Sequence, residues 1–399
     1  MTTAIVIGGG IAGCSTAYAL AQRGIVVTLI ERHAELAQEA SGNPVAMLYP
    51  KLSASNYAQS ALANLGFQFS LALLQQLPPN NRIYKACGLI QLAFNAAEQV
   101  KQNALLSADS MHQYSQLLRF VDENEASEMA GITLKMGGIF LPQAGWVKPA
   151  MWCQALIDSP LISVVTNCNA LTLNKQRKEW QVSTRNLTFI ANNIVICNAK
   201  DIKQFPQCQS AAITPVRGQL NFFAPNVVSE HLKTIICSDH YLSPAIDGMH
   251  VIGTTYAPNN LNAEISTLDT QSNLAALNII SPEIAKKIDP KNIISRVAFR
   301  SQSLDYMPLA GQLLDEEALR ANPPRYNANP ANLAWLNGLY VNAGHGSKGM
   351  ITAPLCAELI ACLATNSTLP INEKLASSLN PSRFLLKELG LKQLANILY

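Results

Sequence analysis

Charge is scarce in this chain. Of 399 residues only 14% are Asp, Glu, Lys or Arg, against 49% apolar. That balance excludes a solvated, disordered polymer and calls for a packed core. The net charge of +3 at pH 7 neither demands nor excludes a nucleic-acid partner. Long apolar runs are missing too: none reaches the ~18–20 residues that span a bilayer. The most apolar late stretch, 352–364, is interrupted by Glu358, so no membrane association is expected. No basic segment precedes the first apolar run, and a secretory signal is therefore not expected. The cysteines, at 14, 87, 153, 168, 197, 208, 237, 356 and 362, include no C-x-x-C pair. Most sit in apolar segments, as free thiols do. The expectation is a reducing, cytoplasmic setting with no disulfide and no metal site. Repeats and low-complexity tracts are also absent, leaving two domains, or one with a large insertion.

What is present begins at once. The stretch "TAIVIGGGIAGCSTAYALAQRGIVVTLIERH" reads as strand, glycine turn, helix and strand. Gly8, Gly10 and Gly13 fit G-x-G-x-x-G, and Glu31 closes the second strand 23 residues beyond Gly8. Gly8 permits a tight turn, Gly10 lets backbone approach a pyrophosphate, and Gly13 lets helix and strand pack closely. The helix opening at Ile11 and Ala12 offers free N–H groups and a positive dipole end to phosphates. Glu31, with Arg32 beside it, can accept ribose hydroxyls and would repel a 2′-phosphate, which disfavours NADP. The motif does not by itself separate NAD from FAD, and a glycine turn without ligand is the alternative.

More than three hundred residues later the pattern recurs. "GLYVN" reads as a buried strand, "AGHGSKG" as a turn, and "MITAPLCAELIACLA" as a helix with Pro354 in its first turn, where proline is tolerated. One dinucleotide needs only one such turn for its pyrophosphate. A second helix N-terminus can serve the far end of an extended cofactor. In a flavin it would stabilise the negative charge that reduction places on the ring. Gly344, His345, Gly346, Ser347, Lys348 and Gly349 are thus expected at the ring of FAD, unless the loop merely closes a sheet. Ser41, Gly42 and Asn43, in "EASGN", are expected along the flavin.

The fold class expected is mixed α/β: a Rossmann-like FAD-binding domain interleaved with a mostly antiparallel β substrate domain. The nucleotide domain is assigned 1–75, 137–210 and 333–365; the substrate domain 76–136 and 211–332; a helical tail 366–399. Helices are expected at 56–77 and 95–130, and a hairpin followed by a buried strand at 180–200. From 211 to 312 short alternating strands separated by turns argue for an antiparallel sheet.

The segments "IVIGGGIAG", "EASGN", "PVRGQ", "DYMPLAG" and "GHGSKGM" together resemble the glycine oxidase, sarcosine oxidase and D-amino-acid oxidase superfamily over nearly the whole chain. "EASGNPVAMLYPKLS", "GGIFLPQAGWVKPAMWCQAL" and "YLSPAIDGMHVIGTTY" look more narrowly like the FAD-dependent half of the bifunctional MnmC family. That family removes, as glyoxylate, the carboxymethyl group of carboxymethylaminomethyl-uridine at the tRNA wobble position. The resemblance implies tRNA as partner. It also implies a methyltransferase acting on the product, whose domain is not expected in residues 1–399. It places Arg300, a guanidinium suited to bidentate grip, and Tyr241 as clamps for the substrate carboxylate. An ion pair of Arg300 with a carboxylate such as Asp305, and a plain core tyrosine, are the alternatives. Lys348 resembles a flavin-side lysine of sarcosine oxidases, which implies a catalytic part, binding the carboxylate or favouring the anionic reduced flavin; a solvated loop lysine is the alternative. His345 is expected to pack by the flavin rather than act as a base, and Arg217 to anchor the sheet. "VAFRSQSLD" lacks the cysteine that attaches FAD in sarcosine oxidases, which implies noncovalent FAD. Lys51, Arg82, Lys85, Arg320 and Arg325 are scattered cations, as on any solvated face. An oxidase of free glycine, sarcosine or a D-amino acid, and a flavin-binding module without chemistry, remain as other readings.

Overall fold

A computed structural model of the chain describes residues 2–54, 57–77, 82–107 and 114–399. The first strand, Thr3–Ile7, is apolar at four of five positions and lies in the middle of a six-stranded sheet. Its neighbours are Val26–Ile30 and Asn193–Ile196, both parallel, with Ile5 opposite Thr28 and Ile194. Ile162–Val165 extends the sheet on one side and Trp335–Ala343 on the other, again parallel. Strands buried on both faces need apolar residues throughout, and Val6, Val27, Val195 and Val341 are all fully buried.

One face is covered by the helices Ile11–Ala21 and Gly349–Thr365. The first is almost all small residues, which lets the helices pack closely. The other face is covered by a three-stranded meander, 172–191, anchored by Trp180 and Val182. Each fully buried Leu or Ile contributes roughly 1.5–3 kcal/mol of apolar transfer.

The second large sheet has nine strands. Its spine is Ile213–Phe223 against Ile294–Ser303, antiparallel, with Val216 opposite Arg300 and Asn221 opposite Ser295. Arg217 is 3% exposed and gives its guanidinium to Asp269 and to the carbonyls of Asn262 and Glu264. It ties the 259–269 connection to the sheet, the anchoring role expected of it.

Two expectations need correction. Leu309–Leu314, read with the antiparallel region, pairs with Trp335–Ala343 in the nucleotide sheet. The span 95–130 is not one helix. Helices Ala96–Leu105 and Glu123–Ala130 are each started by an N-cap side chain, Asn95 and Asp122, and between them Arg119–Val121 pairs with Gly138–Leu141. Its part at 108–113 lies outside the described residues. The tail 366–399 carries the helices Glu373–Leu379, Arg383–Glu388 and Lys392–Ala395, the last two packed against Leu314, Leu319 and Leu333. Leu385, Leu386 and Leu394 are buried, and the buried Arg383 donates to Asp305 from Nη2 and Nε, at 2.7 and 2.9 Å. Among the described residues no helix is long and apolar enough to cross a membrane, and no cluster suited to a metal is found.

Candidate functional site

Four parallel strands run out at the same edge. Gly8, Glu31, Asn198 and Gly344 follow them, and all four line one cavity of about 450 Å³ between the two sheets. The carboxyl edge of a parallel sheet is where a nucleotide binds in doubly wound folds.

At the first corner Gly8 has φ +108° and donates its N–H to Ile30 O at 2.8 Å. A Cβ on Gly13 would fall 1.8 Å from Gly8 O, so helix and turn touch backbone to backbone. A Cβ on Gly9 would meet Leu36 at 2.4 Å. The helix that follows has no acidic residue in its first turn and no capping side chain at Gly10. No carboxylate of the helix itself therefore offsets its dipole at the cavity. Ser41 Oγ accepts the Ile11 N–H at 3.0 Å. Glu31 holds the corner in shape: Oε2 accepts the Gly9 N–H at 2.6 Å and Oε1 the His33 N–H at 2.8 Å.

Around this end Arg32 pairs with Glu39 and Asp201. Burial would raise the Glu39 carboxyl, but the hydrogen bonds of His33 and Arg32 hold it below its usual range. Asn43 Oδ1 accepts from Arg296, a residue of the antiparallel sheet that the sequence had not singled out. Gly42, between two lining residues, does not itself line the cavity, and a Cβ there would strike Ala37 O at 2.3 Å. Gly13, likewise, supports the cavity without lining it.

The second corner is built differently. Gly344 and Gly346 have φ +75° and +57°, the left-handed region that glycine occupies without strain. Gly346 N–H donates to Ser301 O at 2.7 Å and stitches the loop to the antiparallel sheet. The Thr352 hydroxyl donates to Lys348 O at 2.9 Å, so it can only accept from His345 Nδ1, also at 2.9 Å. That fixes the tautomer: His345 carries its proton on Nδ1, and burial pushes its pKa down to about 3. The neutral ring leaves Nε2 as a buried acceptor with no partner among the described residues. Lys348 is half-buried, and burial, with Lys51 adding to it, lowers its pKa.

Above these corners sits the cation that the sequence favoured. Arg300 donates to Thr254 Oγ1 at 2.9 Å and more weakly to Thr255 O at 3.4 Å. Burial pushes its pKa down, with Tyr241 and Tyr256 opposing. Asp305, the alternative partner, is taken by Arg383. Arg300 thus has no carboxylate among the described residues, and a half-buried guanidinium without one is an anion site in waiting. Gly218 makes room for it: a Cβ there would lie 2.6 Å from Arg300 Nη2. Tyr241, its phenol pushed up by burial, lines the same cavity. Lys51, Tyr49, Asn198, Thr254 and Tyr256 also line it and were not expected there. Asn198 ends a parallel strand, and that position was the available signal.

The residues fit a long polar ligand. Asn198 Oδ1, Ser301 Oγ, Asn342 Oδ1 and His345 Nε2 are buried without partners among the described residues, and all belong to residues lining this cavity. Unsatisfied buried polar atoms are rare in native folds, and their gathering here marks where ligand atoms belong.

Comparison with known proteins agrees. The family model described as FAD dependent oxidoreductase (DAO) matches residues 3–363. The chain is 39% identical over 393 residues to the tRNA 5-methylaminomethyl-2-thiouridine biosynthesis bifunctional protein MnmC of Methylobacillus flagellatus, covering 98% of this chain and 60% of that protein. It is 39% identical to the protein of that name from Pseudomonas syringae pv. tomato, covering 97% and 59%. The chain therefore spans about three fifths of those relatives. Among solved structures, glycine oxidase from Geobacillus kaustophilus superposes with a TM-score of 0.77 at 21% identity, covering 96% of this chain and 99% of that one.

Proposed function

Because this chain belongs to the DAO family of FAD-dependent oxidoreductases, we propose that it removes the carboxymethyl group, as glyoxylate, from carboxymethylaminomethyl-uridine at the tRNA wobble position. Bound FAD would supply the acceptor for the hydride lost from the carbon between amine and carboxylate, and water then adds to the resulting imine, breaking its C–N bond to give glyoxylate and the aminomethyl group. The protein's own residues hold FAD at both ends. The Gly8–Gly13 corner and the dipole of helix Ile11–Ala21 take the pyrophosphate. Glu31 accepts ribose hydroxyls, and the His345–Gly349 corner lies at the ring. No covalent attachment is proposed: the cysteines lining the cavity, Cys168 and Cys197, follow strands of the nucleotide sheet, and burial pushes the Cys197 thiol up to about 12.

One observation carries the reading: Arg300 faces the cavity unpaired beside Tyr241. There it grips the carboxylate of a glycine-like appendage and fixes the adjacent CH₂ for reaction. A protonated, charged amine would resist hydride loss, so the substrate amine reacts neutral and needs no strong protein base. His345, held neutral, does not add a competing positive charge. The aminomethyl product then suits a methyltransferase, in the same polypeptide or another; such bifunctionality is in the name of the relatives.

The test is anaerobic bleaching of the yellow holoprotein. Bleaching by tRNA bearing the carboxymethylaminomethyl group, and not by glycine or sarcosine, is the expected result. Bleaching by the free amino acids alone would make the protein an amino-acid oxidase, and no bleaching by either would leave a binding module.

A further inference from the structure

The mouth of the cavity carries features that a free amino acid would not use. Tyr256 lines the opening, is 54% exposed, and has its hydroxyl pinned by Gln302 Nε2 at 2.8 Å. The Gln302 backbone in turn forms an isolated antiparallel bridge with that of His345. Tyr306 is 58% exposed and shares a small adjoining hollow with His345 and Lys348. The two phenol rings therefore flank the same loop. Tyr306 is also held at φ +62°, a conformation costly for a bulky residue. Strain of that kind persists only where the surroundings enforce it. Here Asp305, clamped by Arg383, accepts the Met307 N–H at 3.2 Å, and the Ser303 hydroxyl donates to Met307 O at 2.5 Å. A braced turn thus displays an aromatic ring to solvent rather than burying it.

The charge at this mouth is cationic. Lys51 lines the opening and is exposed, and neither it nor Lys348 forms an ion pair among the described residues. Among the described lining residues, Asp239, in the turn before Tyr241, is an exposed acid, and the Glu39 carboxylate is paired with Arg32. Flat rings beside unpaired cations match single-stranded nucleic acid. Every base offers a face to stack, whatever its sequence, and every nucleotide adds a phosphate.

We infer that Tyr256 and Tyr306 form a stacking rim for the nucleotides on either side of the base inserted into the cavity, with Lys51 taking a flanking phosphate. This rests on the proposed tRNA reading and makes the partner an unpaired loop rather than a duplex. The rim selects the loop; Arg300 selects the appendage.

The experiment compares two substrates on the holoprotein, an anticodon stem-loop carrying the modified uridine and the same modified nucleoside alone. Both are followed by anaerobic flavin reduction. Tyr306→Ala, outside the cavity itself, is expected to weaken half-saturation by the stem-loop roughly tenfold, the scale of one lost stack, and to leave the nucleoside unchanged; Tyr256→Ala, at the cavity wall, should weaken the stem-loop by about tenfold more than it weakens the nucleoside. Tyr256→Phe and Tyr306→Phe should restore the stem-loop, since the ring is what stacks. Lys51→Gln should reduce the salt slope of stem-loop binding by about 0.7, one phosphate's worth on a single strand. Flavin content and visible spectrum confirm that each variant is folded. Equal losses on both substrates, or none on the stem-loop, would overturn the stacking rim while the tRNA reading stands. Wild-type protein that reduces its flavin with neither substrate sinks the tRNA reading, and the rim with it.

Discussion

The two glycine corners start alike, each a strand of the parallel sheet turning into a helix, yet their glycines answer to different neighbours. At Gly8–Gly13 the constraint is the protein itself. A Cβ on Gly13 would lie 1.8 Å from Gly8 O, and one on Gly8 2.8 Å from Cys197 O. At Gly344–Gly349 a Cβ finds nothing nearer than 3.4 Å, and only the left-handed φ of Gly344 and Gly346 argues for glycine. What the second corner holds instead is polarity: a neutral His345 with a free acceptor and a lysine whose charge burial disfavours. One corner is specified by sterics, the other by electrostatics. Substitutions should therefore fail in different ways at the two ends.

The largest effect should come at the first corner. Gly13→Ala needs the helix and the turn to separate, and neither backbone can yield locally. The expected protein is colourless, or binds FAD at least a hundredfold more weakly, with a lowered melting temperature. Retention of stoichiometric yellow chromophore would show that the corner is looser than its contacts imply. Arg300→Leu comes next. It leaves both corners alone and removes two charge-assisted hydrogen bonds to a substrate carboxylate, at about 1.5–2 kcal/mol each. Flavin content should be normal, while kcat/KM falls roughly 10²–10³-fold. A variant that instead loses its flavin would place Arg300 among the cofactor's supports.

These outcomes bear on how much was readable before the fold was seen. The first corner was legible because its constraints are local: three glycines, a helix and a terminal acid lie within one βαβ unit. The second was legible as strand, turn and helix, and Arg300 through the resemblance its strand carries. What could not be read came from distant pairing. Nothing near Arg296 says that it meets Asn43, and Gly218 shows its purpose only when Ile294–Ser303 lies beside it in register. Leu309–Leu314 was misplaced because a strand's sequence does not declare which sheet it joins. Glu31 was read as a ribose acceptor, but its hold on the Gly9 and His33 amides depends on the turn's three-dimensional shape.

The electrostatic corner has a pH signature. Burial holds the His345 pKa at about 3, below the ~6.5 of an unfolded histidine. As pH falls below ~6.5 the unfolded chain takes up a proton that the folded chain refuses. Stability contributed by the neutral ring is therefore intact above that value. It is lost progressively between pH 6.5 and 3, at up to about 1.4 kcal/mol per pH unit. His345→Gln keeps a polar side chain and removes the titration. Urea unfolding at pH 7.5 and pH 5 should show wild type losing up to about 2 kcal/mol more than the variant across that interval. Equal losses would mean that the imidazole is protonated in the folded state, and with it the reading of Nε2 as an acceptor would fail.

The smallest effect, and the sharpest contrast with Gly13, is expected at Gly349. It is the first residue of its helix and has no left-handed φ, and a Cβ there would meet Ile11 Cγ2 at 3.6 Å and His345 Cβ at 3.9 Å, ordinary contacts. Alanine is the better helix former by up to about 1 kcal/mol. Gly349→Ala should therefore leave the apoprotein as stable as wild type or stabilise it by several tenths of a kcal/mol, with FAD affinity changed less than about threefold. Differential scanning of the apoprotein and a flavin titration read the two quantities separately. A raised melting temperature together with stripped flavin would be the informative surprise. It would mean that this backbone approaches the cofactor as closely as Gly10 is expected to. Both corners would then be steric, and the electrostatic role given to the second would have to rest on His345 and Lys348 alone.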